Sequence, residues 1–122
     1  APQAPVATSA PNTPVWAEPV PQGCSVPGVR IIAPTAGQSL TGVFSLVGAA
    51  GLSDNGYYLI DIRPDSTDEY MPYSRGNESV VGGVLTQVNS DLFGDGLYWV
   101  RLTVFNDSGR AVESCAIPVI FN

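Results

Sequence analysis

Between Asp95 and Gly109 apolar and polar positions alternate along the chain. Tyr98, Val100, Leu102 and Val104 fall on one side of an extended backbone, and Leu97, Trp99, Arg101 and Thr103 on the other. A period of two marks a strand with one face on a core. Asp95-Gly96 before it and Asn106-Asp107-Ser108-Gly109 after it are turn formers, so the strand is bounded at both ends. The same reading predicts strands over 29–33, 40–48 and 57–63, the last alternating Tyr58, Ile60 and Ile62 against Tyr57, Leu59, Asp61 and Arg63. A further strand over 79–88 is interrupted by Gly82-Gly83, the mark of a bulge or turn. Tyr70-Met71-Pro72-Tyr73 is the one apolar knot in the polar stretch 64–78 and reads as a short edge strand. The final strand, 110–121, contains Pro118, which cannot donate to a ladder and so places this strand at an edge or a bulge. About seven short strands with turns between them and no helical period predict an all-β antiparallel sandwich.

Residues 1–23 break this pattern. Pro2, Pro5, Pro11, Pro14, Pro19 and Pro21 leave little room for helix, and Ala, Thr, Ser and Gln fill the gaps. Such a segment is extended, close to polyproline II, and too poor in apolar groups to fold by itself. One reading is a flexible stalk, O-glycosylated on Thr8, Ser9 or Thr13. The other rests on Val6, Val15, Trp16 and Val20, bulky apolar residues that a solvated linker does not need. The chain therefore divides into an extended Pro-rich tail, 1–23, and a folded part, 24–122. It opens Ala1-Pro2-Gln3-Ala4 with no Met, which suits a mature end left by cleavage after a small-residue motif, or an excised domain.

Composition narrows the function classes. The 122 residues are enough for one domain with a single core. Five Arg, no Lys, no His and eleven acids give a formal net charge of −6. An acidic chain with scattered Arg lacks the electrostatic footprint of a nucleic-acid binder and is repelled by anionic lipid. Without His, the commonest general base and metal ligand is missing. No apolar run approaches the roughly 18 residues of a membrane-spanning helix. Cys24 and Cys115, near the two ends of the folded part, are either buried singly or bridged.

Two motifs carry a family likeness. Ile32-Ala33-Pro34-Thr35-Ala36-Gly37-Gln38-Ser39-Leu40-Thr41-Gly42 follows an I-x-P-x-x-G-x-x-x-x-G opening, with Gly48-Ala49-Ala50 after it. Asp95-Gly96-Leu97-Tyr98-Trp99-Val100-Arg101-Leu102-Thr103-Val104 follows a D-G-x-Y-x-x-R-L-x-V close. Together they resemble the bacterial extracellular Ig-like or fibronectin-III-like domains of surface proteins, notably of Chloroflexota-type bacteria, over roughly residues 29–120. The resemblance implies an Ig-like sandwich, tight turns at Gly37 and Gly96, and a tyrosine corner at Tyr98 whose hydroxyl bonds nearby backbone. It implies binding, spacing or assembly rather than catalysis. First and last strands are often neighbours in such a sandwich, so a Cys24–Cys115 bridge is the expectation. It departs from the common pattern and points to an oxidising, secreted or cell-surface location. Closing about 90 residues, it would stabilise by on the order of 4 kcal/mol.

Candidate chemistry is sparse. Asp61, Asp65, Asp68 and Glu69 gather near one loop, and Asp91 and Asp95 near another. Oxygen ligands in loops suit Ca²⁺, yet the spacing is no EF-hand, and acid-rich loops of an acidic protein are more often simply solvated. No pair of carboxylates and no Ser with a His partner forms a catalytic set, so the expectation is a non-enzyme with no cofactor and no metal. Asn77-Glu78-Ser79 and Asn106-Asp107-Ser108 are glycosylation sequons in loops. Trp16, Trp99, Tyr57 and Tyr73 would suit an aromatic platform for sugars, with Trp99 either covering the outer face of its sheet or exposed as a contact.

Two functions follow. In the first, the protein is a subunit of an extracellular, pilus-like filament. The tail bearing Val6, Val15, Trp16 and Val20 leaves its own domain and adds, like a donor strand, to an open edge of the next copy. Such a head-to-tail contact does not close, so a homopolymer results. In the second, an Ig-like surface module docks a glycan or protein through Trp99 and the 64–78 loop, with the tail as linker.

Overall fold

A computed structural model describes residues 21–122. They form nine strands: β1 (Gln22–Gly23), β2 (Val29–Ala33), β3 (Ser39–Leu40), β4 (Val43–Ala50), β5 (Tyr57–Pro64), β6 (Met71–Gly76), β7 (Val80–Asn89), β8 (Gly96–Phe105) and β9 (Ala111–Phe121). One 3₁₀ turn, Ser90–Leu92, joins β7 to β8. Two sheets stack as a sandwich. The larger runs β1-β9-β8-β5-β6, with β3 also on β9, and the smaller runs β2-β4-β7. Every pairing is antiparallel except the short parallel one between β3 and β9. The all-β sandwich read from the alternation is the fold.

The inner positions named from sequence build its core. Tyr98, Val100, Leu102 and Val104 of β8 meet Tyr58, Ile60 and Ile62 of β5 and Ile117, Val119 and Phe121 of β9. The smaller sheet supplies Val29, Leu46, Ala50, Leu85 and Val88. Each such side chain contributes about 1.5–3 kcal/mol by leaving water. At one end Phe121 stacks on Tyr98 with ring centroids 4.5 Å apart, and Phe93 meets Tyr98 edge-on at 5.5 Å.

Four expectations are revised. The strand expected over 40–48 is two elements. Gly42 sits at φ 71°, a conformation that suits glycine. It swings the chain from β3, where Leu40 pairs with Phe121, to β4, where Val43 pairs with Asn89 in the other sheet. The last two residues of the segment read as tail, Gln22 and Gly23, are a paired strand opposite Ala116 and Cys115. β9 is no edge strand, since β8 flanks one side and β1 and β3 share the other. Pro118 is tolerated because its ladder groups face away from β8: its carbonyl accepts from the Gly37 N–H at 2.7 Å. A strand residue's N–H and C=O point the same way, so the missing N–H costs no β8 bond. Finally, among the described residues the backbone bonds expected of Tyr98 are made by other tyrosines. Tyr58 donates to the Leu85 carbonyl at 3.0 Å, and Tyr73 donates to the Gln87 carbonyl while accepting from the Asn89 N–H, both at 3.1 Å.

Cys24 and Cys115 form a disulfide across 91 residues. The Cys24 N–H also donates to the Ser114 carbonyl at 3.1 Å, so the point where the tail joins the sandwich is held by covalent and backbone bonds together.

Candidate functional site

Among the described residues, the outer face of the larger sheet carries the salt bridge and the four cation–π contacts. Register sets β5 against β8 as a series of cross-strand pairs: Tyr57 with Phe105, Leu59 with Thr103, Asp61 with Arg101, and Arg63 with Trp99. Each pair is chemically matched, which is how a sheet face gains stability. Tyr57 and Phe105 stack with centroids 4.9 Å apart, and the Arg75 guanidinium lies 4.1 Å from the Tyr57 ring. Arg101 makes a two-pronged bond to Asp61, Nε to Oδ1 at 3.0 Å and Nη2 to Oδ2 at 2.6 Å. That hydrogen bond holds the guanidinium pKa above its ordinary value, burial opposing it and the charge of Asp61 and the Tyr70 phenol adding to it. Asp61 is 3% exposed, so Arg101 supplies the hydrogen bonds that its carboxylate gives up from water.

Tyr70 lies across the two arginines. Its ring centroid is 3.7 Å from the Arg101 guanidinium and 5.2 Å from that of Arg63. Arg63 sits 5.6 Å from the Trp99 ring and donates to the Thr67 carbonyl at 2.7 Å. The Trp99 indole N–H donates to Asp65 Oδ1 at 2.8 Å. The 64–70 loop is therefore strapped over Trp99, which is 5% exposed. Of the two readings of Trp99, the covering one describes this structure, and its indole is no open platform for a sugar. Tyr73 is likewise turned toward β7 by its hydroxyl bonds.

Beside this cluster, toward the β8–β9 hairpin, a groove of about 400 Å³ opens between β5, β8 and β9. Leu59, Phe105 and Val112 wall it, and Arg101, Thr103, Glu113 and Ser114 supply polar atoms. Val112 is 61% exposed at its rim.

The other sequence-marked residues do not converge. Asp61 and Asp65 are committed to Arg101 and Trp99, and Asp68, Glu69, Asp91 and Asp95 are exposed. No group of three or more carboxylate, Cys or His side chains able to hold a metal occurs among the described residues. Asn77 is exposed between β6 and β7. Asn106 is structural: its side-chain oxygen accepts from the Ser108 N–H at 3.1 Å, the Ser108 hydroxyl at 2.8 Å and the Arg110 N–H at 3.0 Å. Val6, Thr8, Ser9, Thr13, Val15, Trp16 and Val20 lie outside the described residues.

The sheet edges are guarded, as an edge must be to avoid indiscriminate pairing. β6 carries Pro72 and Arg75, and β2 is short and holds Arg30. β7 is ten residues long with neither charge nor proline, and there the Tyr73 hydroxyl occupies backbone groups of Gln87 and Asn89. No helix among the described residues is long and apolar enough to cross a membrane. No family model, no curated protein and no solved structure matches this chain.

Proposed function

We propose that this protein is a non-enzymatic structural subunit of the extracellular space that assembles head to tail through its N-terminal Pro-rich segment. The observation that carries the reading is the way that segment is rooted. Gln22 and Gly23 pair with β9, and the Cys24–Cys115 disulfide follows at once. Pulling on residues 1–20 would load a covalent bond to a strand that runs through the larger sheet, a fitting anchor for a connector between subunits. Upstream of Gln22 the next positions along β9 are already taken: Gly37 bonds to Pro118, and β3 pairs with Ile120 and Phe121. Residues 1–20 thus have no vacant ladder on β9 of their own domain, although Val6, Val15, Trp16 and Val20 give them apolar groups to bury. The disulfide is compatible with an oxidising compartment.

Electron microscopy and sedimentation of a chain lacking residues 1–20, beside the full-length protein, test this reading. Assembly by the full chain and its loss on deletion are the expected pair of results. Filaments of normal length from the shortened chain would overturn it.

A further inference from the structure

The tail has an internal order that its proline count alone does not convey. Written in threes it runs Ala1-Pro2-Gln3, Ala4-Pro5-Val6, Ala7-Thr8-Ser9, Ala10-Pro11-Asn12, Thr13-Pro14-Val15. A polyproline II helix has three residues per turn, so each position of the triplet forms its own stripe. One stripe is Pro-rich, one is small, and the third carries Val6 and Val15. Such a segment presents apolar rings together with solvated carbonyls, and its prolines offer no N–H in return. What recognises it is a groove with apolar walls and hydrogen-bond donors along its floor.

The groove on the outer face of the larger sheet has that chemistry. Phe105, backed by the stacked Tyr57 ring, and Val112 form apolar walls. Arg101, Thr103 and Ser114 offer donors. Asp61 engages Nε and Nη2 of Arg101, while Nη1 has no bond among the described residues. The pairing with Asp61 also fixes the guanidinium in place, so little side-chain freedom remains to be lost on binding.

Resting on the assembly reading above, we infer that this groove is where the Pro-rich tail of a second copy docks, as a polyproline II helix rather than as an added strand. The guarded edges, β6 with Pro72 and Arg75 and β2 with Arg30, favour this mode over strand addition. A second copy is favoured over the same chain by direction. β1 is antiparallel to β9, so the chain reaches Gln22 from the Pro118 side, whereas the groove lies beyond Ser114. A tail of the same chain would have to fold back past its own β1 to reach it, whereas the tail of a second copy can enter the groove from outside.

Two full-length variants test the inference. Val112→Arg fills the rim of the groove at an exposed position, and Ala111→Arg serves the same purpose if the first does not fold. The second variant replaces Pro2, Pro5, Pro11 and Pro14 with Gly, dissolving the stripes while keeping the length. In sedimentation velocity the wild type associates, and each variant alone does so about tenfold or more weakly. Mixed one to one, the intact tail of the first pairs with the intact groove of the second, and the mixture stops at dimers. If the mixture stays monomeric, the tail does not dock in this groove and the inference falls. If Val112→Arg and Ala111→Arg assemble like wild type while the glycine variant does not, the tail reading stands and the groove is the wrong acceptor. If the wild type never associates, the assembly reading itself fails and takes the groove with it.

Discussion

Removing the disulfide is the perturbation whose size follows most directly from the structure. Cys24 and Cys115 are 91 residues apart in sequence, so their bridge excludes most open conformations of the unfolded chain. Loop-closure entropy for that span gives roughly 4.6 kcal/mol at 25 °C. Cys115 is 1% exposed and Cys24 is half-buried, so Cys115→Ala with Cys24→Ser removes the bridge with little change of volume. A domain of this size has a guanidinium m value of about 3 kcal/mol/M, and the midpoint should fall by about 1.5 M. The m value should also rise, because the unlinked unfolded chain exposes more surface. Wild type under dithiothreitol should match the variant, which separates the bridge from any packing effect of the alanine. Amide exchange at Gln22, Gly23 and Cys24 should accelerate further, since these residues lose their covalent neighbour as well as global stability. A fall of less than about 1 kcal/mol with an unchanged m value would refute the reasoning. It would mean that the unlinked unfolded chain already keeps these two segments close.

Further expectations attach to the outer face and to β7. Arg101→Leu leaves the Asp61 carboxylate without its partner and should cost about 2 kcal/mol, reduced from the value for a fully buried pair because Arg101 is partly exposed. Adding Asp61→Leu should restore most of it, and an additive double-mutant cycle in urea melts would contradict the pairing. Tyr58→Phe orphans the Leu85 carbonyl and should cost about 1–2 kcal/mol. Burial, reinforced by the charge of Glu78, also holds the Tyr58 phenol above its ordinary pKa of 10.0. The unfolded chain gives up that proton first, so the contribution is intact below pH 10 and is lost as pH rises through the folded-state value. Melts from about pH 9 to about pH 12 should show a shallower decline for Tyr58→Phe than for wild type, and equal slopes would exclude this phenol as a source. Gly76→Val drives a side chain into the Tyr58 ring and should destabilise by about 1–3 kcal/mol in thermal melts. Val81→Lys, at a residue 92% exposed, should change stability by no more than about 0.5 kcal/mol.

The chain's own residues determined its strands and the faces of those strands. Alternation is a local property, so Tyr98, Val100, Leu102 and Val104 could be assigned to a core before any partner was known. The turn residues Asn106 to Gly109 bounded β8 for the same reason. The prolines of residues 1–20 likewise restrict conformation one residue at a time, and the break in composition near Cys24 marked where a different physics begins. Register is not local. Asp61 and Arg101 are forty residues apart, and only the pairing of β5 with β8 sets them opposite each other. Gly42 read as part of one strand over 40–48, and that the chain turns there between sheets depended on which strands β3 and β4 had met. Pro118 shows the same division. Its missing donor is written in the sequence and argued for an edge, but whether a strand tolerates it depends on which neighbour its backbone faces. The tertiary structure turned it toward Gly37, away from β8. Tyr58 read as an ordinary strand residue and Tyr73 as part of an aromatic platform because their hydroxyl partners, 27 and 14 residues away, lie on another strand. Local chemistry thus decided what each segment is, and long-range pairing decided which side chains share the groove, the strap over Trp99 and the guarded edge of β7.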